Sequence, residues 1–99
     1  MMTSTFKKRP ALVVQADAPT TGLSQRIIAC ITSNLDRTGP TRVTIRRSSP
    51  EGRAMGLLTD SVVMTDNLAT VLDREVDKVI GRCPSMDAID AALRTTLAL

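Results

Sequence analysis

A chain of 99 residues and 10.6 kDa is long enough for one domain with a buried core and too short for two. It contains no His, Trp or Tyr, and Phe6 is its only aromatic residue. The absence of histidine excludes imidazole general-base catalysis, a serine–histidine triad and histidine-ligated metal sites. The near absence of aromatic residues argues against recognition of nucleic-acid bases by stacking on a sheet.

The net charge of +3 hides an asymmetry between the two halves of the chain. Residues 1–50 hold eight Lys or Arg and two Asp, whereas residues 51–99 hold five Lys or Arg and eight Asp or Glu. A basic half on a small domain is typical of proteins that bind phosphates, in nucleic acid, or an acidic partner protein. A solvated basic surface without a partner explains the same charges equally well.

The two cysteines, Cys30 and Cys83, are far apart in the sequence, with neither a third cysteine nor a histidine to complete a zinc site. Each is therefore interpreted as a small, reduced core residue. The sequence also lacks an apolar run of about 18 residues, and the apolar run after Pro10 is too short for a signal peptide. These patterns predict a cytoplasmic protein that does not enter a membrane.

Runs of β-branched residues bounded by turn residues predict six short strands. In chain order they are residues 11–15, 26–32, 42–46, 61–65, 69–71 and 78–80. The third alternates basic and apolar residues, so one of its faces is predicted to be cationic. Between the strands, the sequence predicts a loop over residues 48–52, a bend at Asp66 and Asn67, and a helical turn over residues 73–77.

Near the C-terminus, Ser85 is a good N-cap and the following apolar residues recur at helical spacing, which predicts an amphipathic helix over residues 86–98. Short strands, Gly and Pro turns and one such helix predict a mainly β protein, a small barrel with the helix packed outside. The gaps between strands are too short for βαβ crossover helices.

Polar residues stand at three of the predicted strand ends. Pro10 holds the residue before it extended, so that Arg9 projects in a defined direction ahead of the first strand. Thr32-Ser33-Asn34 ends the second strand, and Asp66-Asn67 ends another. Strand ends of a small barrel can converge on one mouth, where binding sites commonly lie. The glycines match no nucleotide-binding motif, and no metal or cofactor is expected.

Five segments, in order along the chain, resemble the MazF/PemK family of toxins. They are Lys8-Arg9-Pro10-Ala11-Leu12-Val13-Val14-Gln15, Ile31-Thr32-Ser33-Asn34-Leu35, Asp60-Ser61-Val62-Val63, Val79-Ile80-Gly81 and Asp90-Ala91-Ala92-Leu93. The resemblance implies an SH3-like small β-barrel of the MazF/PemK/CcdB type. It also implies the toxin of a type II toxin–antitoxin system, a sequence-specific endoribonuclease of single-stranded RNA or mRNA that needs no cofactor. Such toxins act as homodimers and are neutralised by a cognate antitoxin, with which they can bind operator DNA.

The resemblance carries the family's catalytic arginine onto Arg9 and its catalytic threonine onto Thr32. In metal-free cleavage the RNA 2′-hydroxyl attacks phosphorus and leaves a 2′,3′-cyclic phosphate and a 5′-hydroxyl. Arg9 is expected to stabilise the charged oxygens and protonate the leaving 5′-oxygen, and the Thr32 hydroxyl to donate a further hydrogen bond. Further RNA contacts are expected at Gln15, Ser33, Asn34, Asp66, Arg42 and Arg46.

The sequence departs from the family pattern at its start, where the family's aromatic-bearing first strand is not recognisable. Residues 1–6 are therefore interpreted as a remnant loop or disordered start, ahead of a toxin-like domain over residues 7–99 with an open sheet edge. Ala69-Thr70 also stands where relatives commonly have Arg-Thr, so one cationic substrate contact is missing. A second hypothesis is thus a weak or inactive member that acts as a binding module for antitoxin, operator DNA or, like CcdB, a gyrase.

Overall fold

The structure, a computed structural model, describes residues 1–6, 9–14 and 25–99. These residues form one antiparallel sheet of six strands in the spatial order β4-β5-β3-β2-β1-β6. The strands are β1 (Met2–Phe6), β2 (Arg9–Val13), β3 (Gln25–Thr32), β4 (Arg42–Ile45), β5 (Ser61–Leu72) and β6 (Val76–Arg82). Helix α1 spans Pro50–Ala54, helix α2 spans Asp87–Leu97, and a 3-10 turn at Asp73–Glu75 links β5 to β6. The predicted mainly β fold with a C-terminal helix is confirmed.

Alternation along the strands separates two faces of the sheet. The first face packs against α2 and the segment that follows α1, and its core includes Leu12, Ala29, Ile31, Val63, Met55 and Ile89. The second face carries a smaller buried cluster of Ala11, Val13, Ile28 and Val71. Neither of the helices that the structure describes is long and apolar enough to cross a membrane.

Residues 2–6 form a strand, so the interpretation of residues 1–6 as a remnant loop or disordered start is wrong. β1 pairs with β2 on one side and with β6 on the other, and no open edge remains between those two strands. Thr3 and Ser4 are almost completely buried at this position. Polar residues thus occupy interior strand positions, which is why the sequence shows no apolar alternation here, although threonine suits an extended backbone.

Helix α1 replaces part of the loop predicted over residues 48–52. The Oγ atom of Ser49 accepts a hydrogen bond from the Gly52 N–H at 3.0 Å, and Pro50 stands at the start of the helix, where its missing N–H has no cost. The capping residue and the proline together stabilise a helix of only five residues.

The two strands predicted at residues 61–65 and 69–71 are one strand, β5, and the predicted bend at Asp66 and Asn67 is a bulge within it. Cys30 of β3 pairs with Met64, whereas the preceding residue of β3, Ala29, pairs with Leu68. Residues 65–67 therefore have no partner on β3, and we call them the β5 bulge.

Thr3 buries a hydroxyl group without a hydrogen bond. Its side chain is 0% exposed, and its Oγ1 atom has no partner among the residues that the structure describes. Since such a hydroxyl costs about 1–3 kcal/mol, we expect Thr3→Val, of similar shape, to raise the free energy of unfolding by about 1 kcal/mol. Urea unfolding measures this, with Thr44→Val on the exposed side of β4 as the control. A loss of stability in Thr3→Val would contradict the conclusion that the buried Thr3 hydroxyl has no hydrogen-bond partner.

Candidate functional site

A cleft of about 480 Å³ opens on the second face of the sheet, where β2 begins and β3 ends. Arg9 and Thr32 both line it, and we call it the Arg9–Thr32 cleft. Ala11 pairs with Cys30, and the same register continued by two residues places Arg9 opposite Thr32. The other lining residues are Pro10, Ala11, Ile28, Cys30, Ile31, Met64 and Asn67.

The Arg9 guanidinium is available to a ligand. The residue is exposed at the start of β2, and within the described part of the chain its side chain makes no hydrogen bond or ion pair. Pro10 fixes the backbone immediately after it and also lines the cleft. Arg9 therefore presents a permanent positive charge, with donors in the fork geometry that matches phosphate oxygens.

The Thr32 hydroxyl complements this cation. Its Oγ1 atom accepts a hydrogen bond from the Asn34 N–H at 3.1 Å, which orients the side chain and leaves the hydroxyl proton to be donated. A guanidinium and a hydroxyl donor that face one space can together bind the non-bridging oxygens of a phosphodiester. The described residues hold no group of three or more Cys, Asp or Glu side chains arranged to ligate a metal ion.

Ser33 and Asn34 lie beyond the end of β3 and do not line the cleft. The Asn34 Oδ1 atom accepts a hydrogen bond from the Asp36 N–H at 3.1 Å, and its carbonyl accepts one from the Arg37 N–H at 3.2 Å. Both residues are exposed on a closed polar turn beside the cleft. Gln15, also predicted to contact RNA, lies outside the described residues.

The other predicted cations are ion-paired. Arg42 donates from Nε and Nη2 to the two carboxylate oxygens of Asp66, at 3.2 and 3.1 Å. The Arg42 guanidinium lowers the pKa of the Asp66 carboxyl, which stays ionised at neutral pH. Arg46 contacts Asp60 at 3.2 Å. None of these four residues lines the Arg9–Thr32 cleft. Of the predicted site residues that the structure describes, only Arg9 and Thr32 come together there.

Asn67 lines the cleft, whereas its neighbour Asp66, which was predicted to contact RNA, does not. In an uninterrupted strand, alternation from Met64 would turn Asp66 towards the cleft and Asn67 away from it. The β5 bulge changes this relation, and no residue pattern in the sequence marks its length. The only available signal was the Asp66-Asn67 pair itself, which is typical of an irregular position.

The two cysteines differ in accessibility. Cys30 is half-buried and lines the cleft, whereas Cys83 is buried, which raises the pKa of its thiol and disfavours the reactive thiolate. We expect N-ethylmaleimide to modify Cys30 roughly tenfold faster than Cys83 in the folded protein. Peptide mass spectrometry over time measures both rates, and in urea they should become similar. Faster modification of Cys83 in the folded protein would contradict this.

A family model described as the PemK-like, MazF-like toxin of type II toxin–antitoxin systems matches residues 3–97. The solved Mycobacterium tuberculosis toxin MazF-mt6 shares the fold, with a TM-score of 0.79 at 24% identity over 99% of this chain and 95% of that chain. An endoribonuclease from a mycobacterial species is 27% identical, with a TM-score of 0.78 over 99% of this chain and 88% of that chain. A mycobacterial endoribonuclease in complex with its cognate antitoxin is also 27% identical, with a TM-score of 0.74 over 99% and 90%. No curated protein sequence matches the chain.

Proposed function

The chain belongs to the PemK-like, MazF-like toxins of type II toxin–antitoxin systems, and we propose that it is an endoribonuclease that cleaves single-stranded RNA, including mRNA, without a metal ion. The observation that carries this proposal is the juxtaposition of Arg9 and Thr32 in one cleft. Mycobacterial structures of similar fold that are endoribonucleases support the reaction class. The toxin would act in the cytoplasm, where cleavage of mRNA stops translation and growth.

In the proposed reaction, the 2′-oxygen of the RNA bonds to the adjacent phosphorus as the 2′-hydroxyl loses its proton to water. The bond from phosphorus to the 5′-oxygen breaks, which leaves a 2′,3′-cyclic phosphate and a 5′-hydroxyl. Arg9 and the Thr32 hydroxyl stabilise the charge that develops on the non-bridging oxygens, because both supply hydrogen-bond donors that line the same cleft. We assign to Arg9 the proton that the 5′-oxygen takes up, and water restores it.

The proposed partners follow from the same family membership. We propose that the toxin is a homodimer, that a cognate antitoxin neutralises it, and that the two together bind operator DNA. A mycobacterial relative of similar fold is itself bound to its antitoxin. The excess of basic residues in the first half of this chain suits either a phosphate backbone or an acidic antitoxin segment.

The test uses the purified full chain and a long single-stranded RNA in buffer containing EDTA. We expect cleavage at a limited set of sites, with fragments that accept phosphate from polynucleotide kinase at their new 5′-hydroxyl ends. An oligonucleotide with a single 2′-deoxyribose at the cleaved position should resist cleavage, because it lacks the attacking oxygen. The same RNA annealed to its complement is the control for strand preference.

Each result bears on the proposal. Cleavage of the 2′-deoxy oligonucleotide, or fragments with 5′-phosphate ends, would overturn the proposed reaction. Absence of cleavage on every RNA, from a chain that unfolds cooperatively, would overturn the enzymatic proposal. It would leave the family's antitoxin-binding role as the function to examine.

A further inference from the structure

The β5 bulge is held in place at its first residue by contacts away from the Arg9–Thr32 cleft. Thr65 is 0% exposed, and its N–H donates to the Thr41 carbonyl at 3.0 Å. The Thr65 hydroxyl donates to the same carbonyl and lies 3.0 Å from the Oγ1 atom of Thr96 on α2. These contacts tie the bulge to the segment before β4 and to the C-terminal helix.

The second residue of the bulge, Asp66, is also held by a contact to the β4 side. Asp66 accepts two hydrogen bonds from the guanidinium of Arg42, and Arg42 is the first residue of β4. This two-point geometry fixes the carboxylate more firmly than a single contact would. Because Thr65 and Asp66 are both engaged on the β4 side, the remaining bulge residue, Asn67, is presented to the cleft.

Asn67 is exposed, and its carboxamide has no hydrogen-bond partner among the described residues. It carries one acceptor oxygen and a donor nitrogen side by side. Ile28, Met64 and Pro10 line the same cleft and supply apolar surface, against which the flat face of a base can pack. The cleft therefore combines donors for a phosphate, a surface for a base and a carboxamide for the base's edge.

Resting on the proposed function, we infer that Asn67 is a specificity-determining residue, which reads one base beside the cleaved phosphate through its carboxamide. Adenine is the expected base, because an asparagine carboxamide pairs with adjacent donor and acceptor atoms of adenine in two hydrogen bonds. Guanine would be favoured by an arginine, and cytosine by a carboxylate. The carboxamide is neutral, so it adds base preference without adding general affinity for phosphates.

The test compares base preference in the wild-type chain and in Asn67→Ala and Asn67→Asp. Each cleaves an RNA library randomised around the cut, and sequencing gives the rate ratios between bases at each position. We expect wild type to prefer adenine at one position next to the cut by about tenfold. Asn67→Ala should lose this preference, and Asn67→Asp should shift it towards cytosine, since a carboxylate accepts from the cytosine amino group. Because each rate ratio compares two bases cleaved by the same variant, an overall loss of cleavage rate does not change it.

The matched control is Thr70→Ala, an exposed side chain on the same strand that does not line the cleft. Its base ratios should equal those of wild type. The melting temperature of Asn67→Ala should also be unchanged, because the contacts that hold the bulge belong to Thr65 and Asp66. Asn67→Ala that cleaves RNA with wild-type base ratios would overturn the inference and leave the proposed function intact.

A binding measurement separates the inference from the proposed function. Uncleavable 2′-deoxy oligonucleotides that differ only in the base next to the cleft phosphate are titrated against wild type and Asn67→Ala. Weaker binding of the adenine oligonucleotide to Asn67→Ala, by about tenfold, supports the inference even if no RNA is cleaved. Equal binding by the two chains counts against it, whether or not the chain is a ribonuclease.

Discussion

Replacing Arg9 with alanine is expected to slow RNA cleavage by about a hundredfold or more, since removal of one hydrogen-bond donor from a charge-stabilising site has an effect of this size. Arg9 is the cleft's only cation among the described residues, and it has no ion-pair partner there. No neighbouring carboxylate is released by the substitution, so the folded chain should keep its melting temperature. Initial rates on a defined oligonucleotide, together with a thermal melt, measure the two effects.

Arg26→Ala provides the matched control for this loss of charge. Arg26 belongs to β3, but its guanidinium is ion-paired with Asp73 at 3.0 Å and it does not line the cleft. The substitution Arg26→Ala also removes one positive charge from the sheet. The cleavage rate of this variant should stay within a few-fold of that of wild type. Arg9→Lys keeps the charge but loses the fork of donors, so we expect only partial recovery. Equal rates for wild type and Arg9→Ala would remove Arg9 from the mechanism.

A large loss of stability is expected for Gly81→Ala on β6. A Cβ atom at this position would lie 2.3 Å from the backbone carbon of Met55 and 2.4 Å from the carbonyl oxygen of Ala54. The obstructing atoms are backbone at the end of α1, so they cannot move aside as a flexible side chain could. We expect a loss of about 3 kcal/mol or more in the free energy of unfolding, at the upper end of overpacking effects.

Urea unfolding followed by circular dichroism measures this loss. Val79→Ala, two residues earlier on the same strand, is the control because the Val79 side chain is 57% exposed. Its change in stability should stay within about 0.5 kcal/mol. If Gly81→Ala unfolds at the wild-type urea concentration, then the close approach of α1 to β6 is not a feature of the protein in solution.

Local residue patterns were sufficient to predict most of the elements. The helix predicted over residues 86–98 is α2 at Asp87–Leu97, because apolar spacing of this kind identifies the buried side of a helix. Arg9 and Thr32 were assigned by resemblance, and the register of β2 with β3 brings them together. Their catalytic roles remain predictions.

The features that the sequence did not reveal all depend on contacts between distant parts of the chain. β1 was missed because Thr3 and Ser4 are buried by pairing with β2 and β6, not by their own hydropathy. The position of Asn67 depends on the β5 bulge, which is anchored by Thr41, Arg42 and Thr96. The pairing of Arg42 with Asp66 likewise joins two strands, and neither of these two predicted RNA contacts lines the cleft.

The place of β1 between β2 and β6 has a consequence for how the protein is made. Ser4 pairs with Val79, so β1 has no partner on one side until β6 has been synthesised. Contacts between residues so distant in sequence form slowly, because the intervening loop must be closed first. Arg9 begins the strand next to β1, and the cleft is thus expected to become ordered only after translation of β6. Under the proposed ribonuclease function, a growing chain would then not cleave the message that encodes it.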